Sequence, residues 1–135
     1  MRITNEADYA LRIVFSLLDG SQRSAKTIAA ETGVTLRFAL KILRKLTLSE
    51  LVGSQQGASG GYFLKKKPEE ISVGEIVEMI DGPFVMNNCI DGSFECTRMG
   101  KQTALCSFHC FFEDLNRRLR DEMYQATLDQ FLPKE

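Results

Sequence analysis

The chain has 135 residues, 44% hydrophobic and 26% charged, with a formal net charge of −1; that length suits one domain, or one small domain with an added element. The composition excludes a disordered chain, a collagen-like repeat and a coiled-coil rod, and no stretch approaches the roughly 18 apolar residues of a membrane span. Arg2, Glu6, Asp8, Arg12 and Asp19 interrupt the first twenty residues, so no signal-peptide core is expected and the reading is a cytoplasmic protein that does not enter a membrane.

Residues 4–19 read as a helix, because Ala7, Ala10, Leu11, Val14, Leu17 and Leu18 recur at steps of three and four. Thr4 or Asn5 caps its start and Gly20 ends it. Ser24 caps a short helix over 24–32, with Ile28 and Ala29 inward, and Thr32-Gly33 breaks it. Thr35 caps a third helix through about Leu46, with Leu36, Ala39, Leu40, Leu43 and Leu46 on one stripe, and a final turn at 48–51 extends the packing. Two short helices joined through a glycine turn are either an ordinary helical hairpin or a helix-turn-helix.

Charge favours the second. Residues 22–67 hold nine lysines and arginines (Arg23, Lys26, Arg37, Lys41, Arg44, Lys45 and Lys65–Lys67) against Glu31 and Glu50 alone, a surplus of seven, while the rest of the chain is acidic by eight. A basic block inside an acidic protein is an electrostatic footprint for a polyanion. Thr35, Arg37, Lys41, Arg44 and Lys45 point away from the leucine stripe, where a recognition helix needs its donors.

Leu51-Val52 and Tyr62-Phe63-Leu64 read as paired strands around Gly57, Gly60 and Gly61, a β-hairpin in the position of a wing. Its glycine-rich tip brings backbone N–H groups near phosphates. The candidate DNA contacts are therefore Ser24, Thr35, Arg37, Phe38, Lys41 and Arg44 on the helices and Gln55, Ser59, Gly60, Gly61 and Tyr62 in the wing.

Ser72-Val73-Gly74-Glu75 is a capping-box sequence and starts a helix over 73–80, stopped by Asp81-Gly82-Pro83. Residues 83–106 lack periodicity, and a loop of that length is usually functional or disordered. Residues 107–130 read as a long helix striped by Phe108, Phe111, Phe112, Leu115, Leu119, Met123 and Ala126. It would run roughly 36 Å, more than a small winged core covers. The surplus stripe asks for a partner, most simply the same helix of a second copy, or else folds back on its own core. The fold class is thus mostly α, with a winged helix-turn-helix domain over 1–82, a cysteine-bearing loop over 83–106, and a dimerisation helix with its tail over 107–135.

Cys89, Cys96, Cys106 and Cys110 lie within 22 residues, with the lone histidine, His109, among them. Thiols in a reducing compartment read as a metal site or a redox switch rather than as structural disulfides. Their gaps are wide for structural zinc and suit an iron–sulfur cluster wrapped by a loop. His109 is either a ligand or a solvated first-turn residue. One histidine and no paired carboxylates leave no catalytic constellation.

In this order the pieces resemble the IscR/NsrR-type winged-helix transcription regulators, the Rrf family. The resemblance spans nearly the whole chain: DYALR (8–12), SAKTIAAETGV leading to LKILRKL, the wing GASGGYFL, ISVGEIVEMIDGP, and Cys106-x₂-His109 before FFEDL. It implies a homodimeric regulator of double-stranded DNA that senses iron, redox state or nitric oxide through a 2Fe–2S or 4Fe–4S cluster held by Cys89, Cys96 and Cys106. The fourth ligand it implies is Asp8 of the other subunit, His109, or the extra thiol Cys110; Asp8 also stands four residues before Arg12, the spacing of a surface ion pair. Two alternatives stand beside it. One is a cluster-free DNA-binding regulator switched by thiol oxidation, zinc or a partner metabolic enzyme. The other is an adaptor whose long helix docks such an enzyme.

Overall fold

The computed structural model describes residues 2–134. Helix α1 (Asn5–Ser16) starts where the Thr4 hydroxyl accepts from the Ala7 N–H, and it buries Ala7, Ala10, Ile13 and Val14. It ends three residues before the expected boundary. Leu17 leaves helical geometry there, and the chain turns toward Gly20, which sits at φ 79°. Helix α2 (Ala25–Thr32) is capped by Ser24 and closed by Gly33 at φ 71°, the left-handed C-terminal position that glycine occupies without a Cβ penalty.

Helix α3 (Leu36–Leu48) is capped by Thr35, whose hydroxyl accepts from Phe38 N–H. Its inward stripe differs from the expected one. Ala39, Ile42, Leu43 and Leu46 are buried, whereas Leu36 and Leu40 are exposed. Ile42 takes the inward place because the core lies along the 39/42/43/46 line, which turns Leu36 and Leu40 to its edge. The following turn buries Leu51 but leaves Leu48 in solvent.

Strands β1 (Val52–Gln55) and β2 (Gly61–Leu64) form an antiparallel hairpin in the register Val52 opposite Leu64 and Gln55 opposite Gly61. The segment before α2 joins it: Arg23 and Tyr62 exchange backbone hydrogen bonds at 3.0 and 2.7 Å. Gly61 makes that approach possible. It sits at φ 155°, and a Cβ there would lie 2.5 Å from the Arg23 carbonyl oxygen. Gly61→Ala is therefore expected to cost about 1–3 kcal/mol, visible as a lower thermal midpoint by circular dichroism. An unchanged midpoint would contradict this account of the hairpin.

Helix α4 (Val73–Asp81) begins with half of the expected capping box. Ser72 Oγ accepts from Glu75 N–H at 3.0 Å, but the Glu75 carboxylate reaches Lys66 Nζ at 2.7 Å instead of turning back to Ser72. Helix α5 spans Ser107–Gln125, shorter than the 107–130 the periodicity suggests. The chain leaves it because a better arrangement is available to its tail. Val73 N–H donates to Ala126 O and Leu128 N–H to Ile71 O, both at 2.9 Å, and Leu128 enters the core. That core gathers Ile13 and Val14 of α1, Leu17 just after it, Ile28 of α2, the α3 stripe, Val52, Ile71 and Ile76.

Helices α4 and α5 are also joined by polar contacts. Glu78 accepts from Arg120 at 2.5 and 2.8 Å and from the Tyr124 hydroxyl at 2.7 Å. Asn116 is buried; it accepts from Met86 N–H at 2.8 Å and donates to Phe84 O at 3.1 Å. The start of the 83–106 loop is thereby fixed to α5. Among the described residues no helix is long and apolar enough to cross a membrane.

Candidate nucleic-acid interface and cysteine loop

Burial of Ala39, Ile42, Leu43 and Leu46 fixes which side of α3 meets solvent, and that side carries Arg37, Lys41 and Arg44, all exposed. Not every lysine and arginine of the basic block is free. Lys45 Nζ lies 2.6 Å from Glu6, whose carboxyl is held below its ordinary value chiefly by that hydrogen bond. Arg23 is engaged by Asp19 at 2.7 Å, by the Ser16 carbonyl and by Glu31 at 3.5 Å. Lys66 is paired with Glu75. Among the described residues Arg37 and Arg44 have no carboxylate partner, and Lys41 has only a long contact of 3.5 Å to Glu6. Phe38 is half-exposed, with its ring edge-on to Tyr9 at 6.1 Å.

Ser24 and Thr35 are exposed at their helix starts, each spending its hydroxyl on a cap. In the wing Gln55 and Ser59 are exposed. Gly60 closes the tip by donating to Gly57 O at 3.0 Å, and a Cβ at position 60 would lie 2.2 Å from Gln55 O. Gly61 and Tyr62 serve the junction with Arg23. Gln22 Nε2 donates to Ser59 O at 3.0 Å and ties the tip to the segment before α2. The wing is thus tied to the segment that leads into α2.

The cysteines are less well gathered. Cys89 lies in a single 3₁₀ turn (Asn88–Ile90), Cys96 in a bend paired with Gly100, Cys106 directly before α5, and Cys110 in its first turn. Cys106 has neighbours that favour its thiolate form. The backbone N–H of His109, then that of Phe108 and the charge of Arg98, whose Nη2 is 3.8 Å away, hold its thiol below the ordinary value. Cys110 donates to Ala104 O at 3.3 Å. His109 is not a solvated residue. It is buried, with Nε2 3.7 Å from Glu113, and its Nδ1 has no hydrogen-bond partner among the described residues. Asp8 pairs with Arg12 at 2.8 Å on the exposed face of α1.

An iron–sulfur cluster requires thiolates brought together. The donors fit in kind: three cysteines of one loop, one of them held toward thiolate, and a histidine with an unspent ring nitrogen. Among the described residues, however, no three histidine, cysteine, aspartate or glutamate side chains stand together as a metal-binding group.

Sequence reasoning missed the Arg98–Cys106 contact and the Glu78–Arg120–Tyr124 latch. The first has no spacing signal, since it depends on how an irregular loop turns. The second left a trace: Asn116, Arg120 and Tyr124 are four residues apart and so share one face of α5.

The family model for Rrf2, described as an iron-dependent transcriptional regulator, matches residues 3–134. An rrf2-like HTH-type transcriptional regulator from Rhodobacter capsulatus is 36% identical over 97 residues; the match takes in 67% of the chain and 65% of that relative, so the chain spans about two thirds of its length. The HTH-type transcriptional regulator IscR of Pectobacterium atrosepticum is 27% identical over 135 residues, covering 98% of the chain and 79% of that protein. Among solved structures, CymR, the global cysteine regulator of B. subtilis, superposes with a TM-score of 0.77 at 22% identity, over 97% of the chain and 95% of its own. That likeness concerns the fold.

Proposed function

The chain belongs to the Rrf2 family of transcriptional regulators, and from that premise we propose that it acts as a homodimer on pseudo-palindromic double-stranded DNA and senses through its cysteine loop. The observation that carries the DNA reading is the exposed Arg37–Lys41–Arg44 row above a fully buried α3 stripe. Helix α3 would enter the major groove, and the tip at Gln55–Gly61 would reach the backbone or minor groove. Two copies related by a two-fold axis would read two half-sites. The exposed Phe108 and Phe111 of α5 support a self-association surface on that helix. Enrichment of duplexes from a random-sequence pool, with the mass of the complex measured in solution, tests this. An enriched inverted repeat bound by two copies is expected; no enrichment at any ionic strength would overturn it.

For sensing, Cys89, Cys96 and Cys106 are the residues that would hold an iron–sulfur cluster, with Asp8 of a second copy, His109 or Cys110 completing it. The cluster would supply a centre that responds to iron supply, oxidation or nitric oxide. What the chain itself contributes is a thiol whose neighbours favour the thiolate at the root of α5 and a loop whose start is fixed to that helix by Asn116. Cys106→Ala is expected to remove at least nine-tenths of the iron and acid-labile sulfide recovered from anaerobically purified protein. Full retention would take Cys106 out of the site. A second reading, direct thiol oxidation, is favoured by the closeness of Arg98 to Cys106 and the exposure of Cys110 in the next turn. It predicts metal-free protein whose DNA affinity changes on mild oxidation and recovers with dithiothreitol.

A further inference from the structure

The first turns of α3 carry more exposed apolar surface than a phosphate-binding helix needs. Leu36, Phe38 and Leu40 are 39%, 45% and 44% exposed, and none of them belongs to the core. With about 3.6 residues per turn, Arg37, Lys41 and Arg44 lie opposite the buried stripe. Leu36 and Leu40, one turn apart, then border that row on one side, and Phe38 borders it on the other. Phe38 is presented rather than loose: Tyr9 supports its ring, and the Lys41 ammonium lies 6.0 Å from the ring centre.

Phosphate neutralisation requires only cations. Apolar side chains earn affinity in a major groove at one feature, the C5-methyl group of thymine. We infer that Leu40 and Phe38 are specificity-determining residues that read thymine methyl groups on either side of the bases met by Arg37, Lys41 and Arg44. The inference rests on the DNA-binding reading given above. Charge complementarity selects this occupant: the apolar borders flank a row in which Arg37 and Arg44 lack carboxylate partners among the described residues, and a duplex offers anions and methyl groups within the same few ångströms. The preferred half-site therefore holds thymine at one or two fixed positions beside the bases contacted by the cations.

The test uses the full chain and the strongest duplex enriched from a random pool. Each thymine of a half-site is replaced singly by deoxyuridine, which pairs identically and lacks only the methyl group. Removal of a buried methyl is expected to weaken binding about threefold to fivefold at one or two positions and to change nothing elsewhere. Leu40→Ala or Phe38→Ala should bind the uridine and thymine duplexes equally at its own position while still preferring the site over a scrambled duplex. The uridine scan on the unaltered protein keeps the test valid if a variant fails to fold. Specific binding that is indifferent to every uridine, or an enriched half-site without thymine, would overturn the inference and leave the DNA-binding reading intact. Absence of any enriched duplex would overturn both.

Discussion

Glu78→Gln is expected to lower the unfolding free energy at neutral pH by about 2 kcal/mol and to remove that contribution to the loss of stability between roughly pH 4.5 and 2. Glu78 is held down to about 2 from the ordinary 4.5, first by the hydrogen bond from Arg120 and further by Phe84 N–H and the Tyr124 hydroxyl. A carboxylate whose value falls on folding adds stability that is complete above its unfolded value and disappears as the pH drops through the folded one. The full linkage would approach about 3 kcal/mol, but the Arg120 side chain is 43% exposed, and solvent screening reduces the net effect. Urea unfolding at about pH 7 and again near pH 2 measures it. The wild-type advantage should be present at the first and nearly absent at the second. An equal gap at both would mean that the latch is not electrostatic.

Arg37→Ala combined with Arg44→Ala should cost on the order of 100-fold in affinity for a specific duplex and reduce the slope of log affinity against log salt by about two. Both guanidinium groups lack carboxylate partners among the described residues, so their charge is available to phosphates and base edges. Lys45→Ala is the informative contrast. Lys45 stands in the same helix but is occupied by Glu6 at 2.6 Å, and its loss should change the salt slope by well under one. Fluorescence anisotropy at several salt concentrations separates the two. Equal slopes for all variants would move the contact surface away from α3.

Much of this was legible in the residues. Thr4, Ser24, Thr35 and Ser72 each cap the helix they precede, because a short hydroxyl side chain satisfies an otherwise orphaned N–H. Gly57, Gly60 and Gly61 marked the hairpin for the same kind of local reason. The inward face of α3 was less legible: Leu36 and Leu40 fit the apolar period as well as Ile42 does, and only the positions of the elements packed on it, α1, α2 and β1, decide among them. The end of α5 depended on a partner remote in sequence, since residues 71–73 draw Ala126–Leu128 out of helical geometry. The family resemblance supplied the cysteine set as a group, while the backbone of the loop determines where each thiol lies. Which positive charges are free was also hidden, because Glu6 lies far from Lys45 along the chain.

The return of the tail has a practical side. Leu128 is 3% exposed and sits in the same apolar cluster as Ile13, Ile42 and Leu46, with Leu132 packed against it, so these two tail residues are structural members of the reading head. Clipping by a contaminating protease after Gln125, or an affinity tag inserted at Thr127, would strip a seal from that cluster and expose Ile71. Preparations could then lose duplex affinity with every arginine intact, and an apparent sensing defect would be a trimming artefact that intact-mass spectrometry exposes at once.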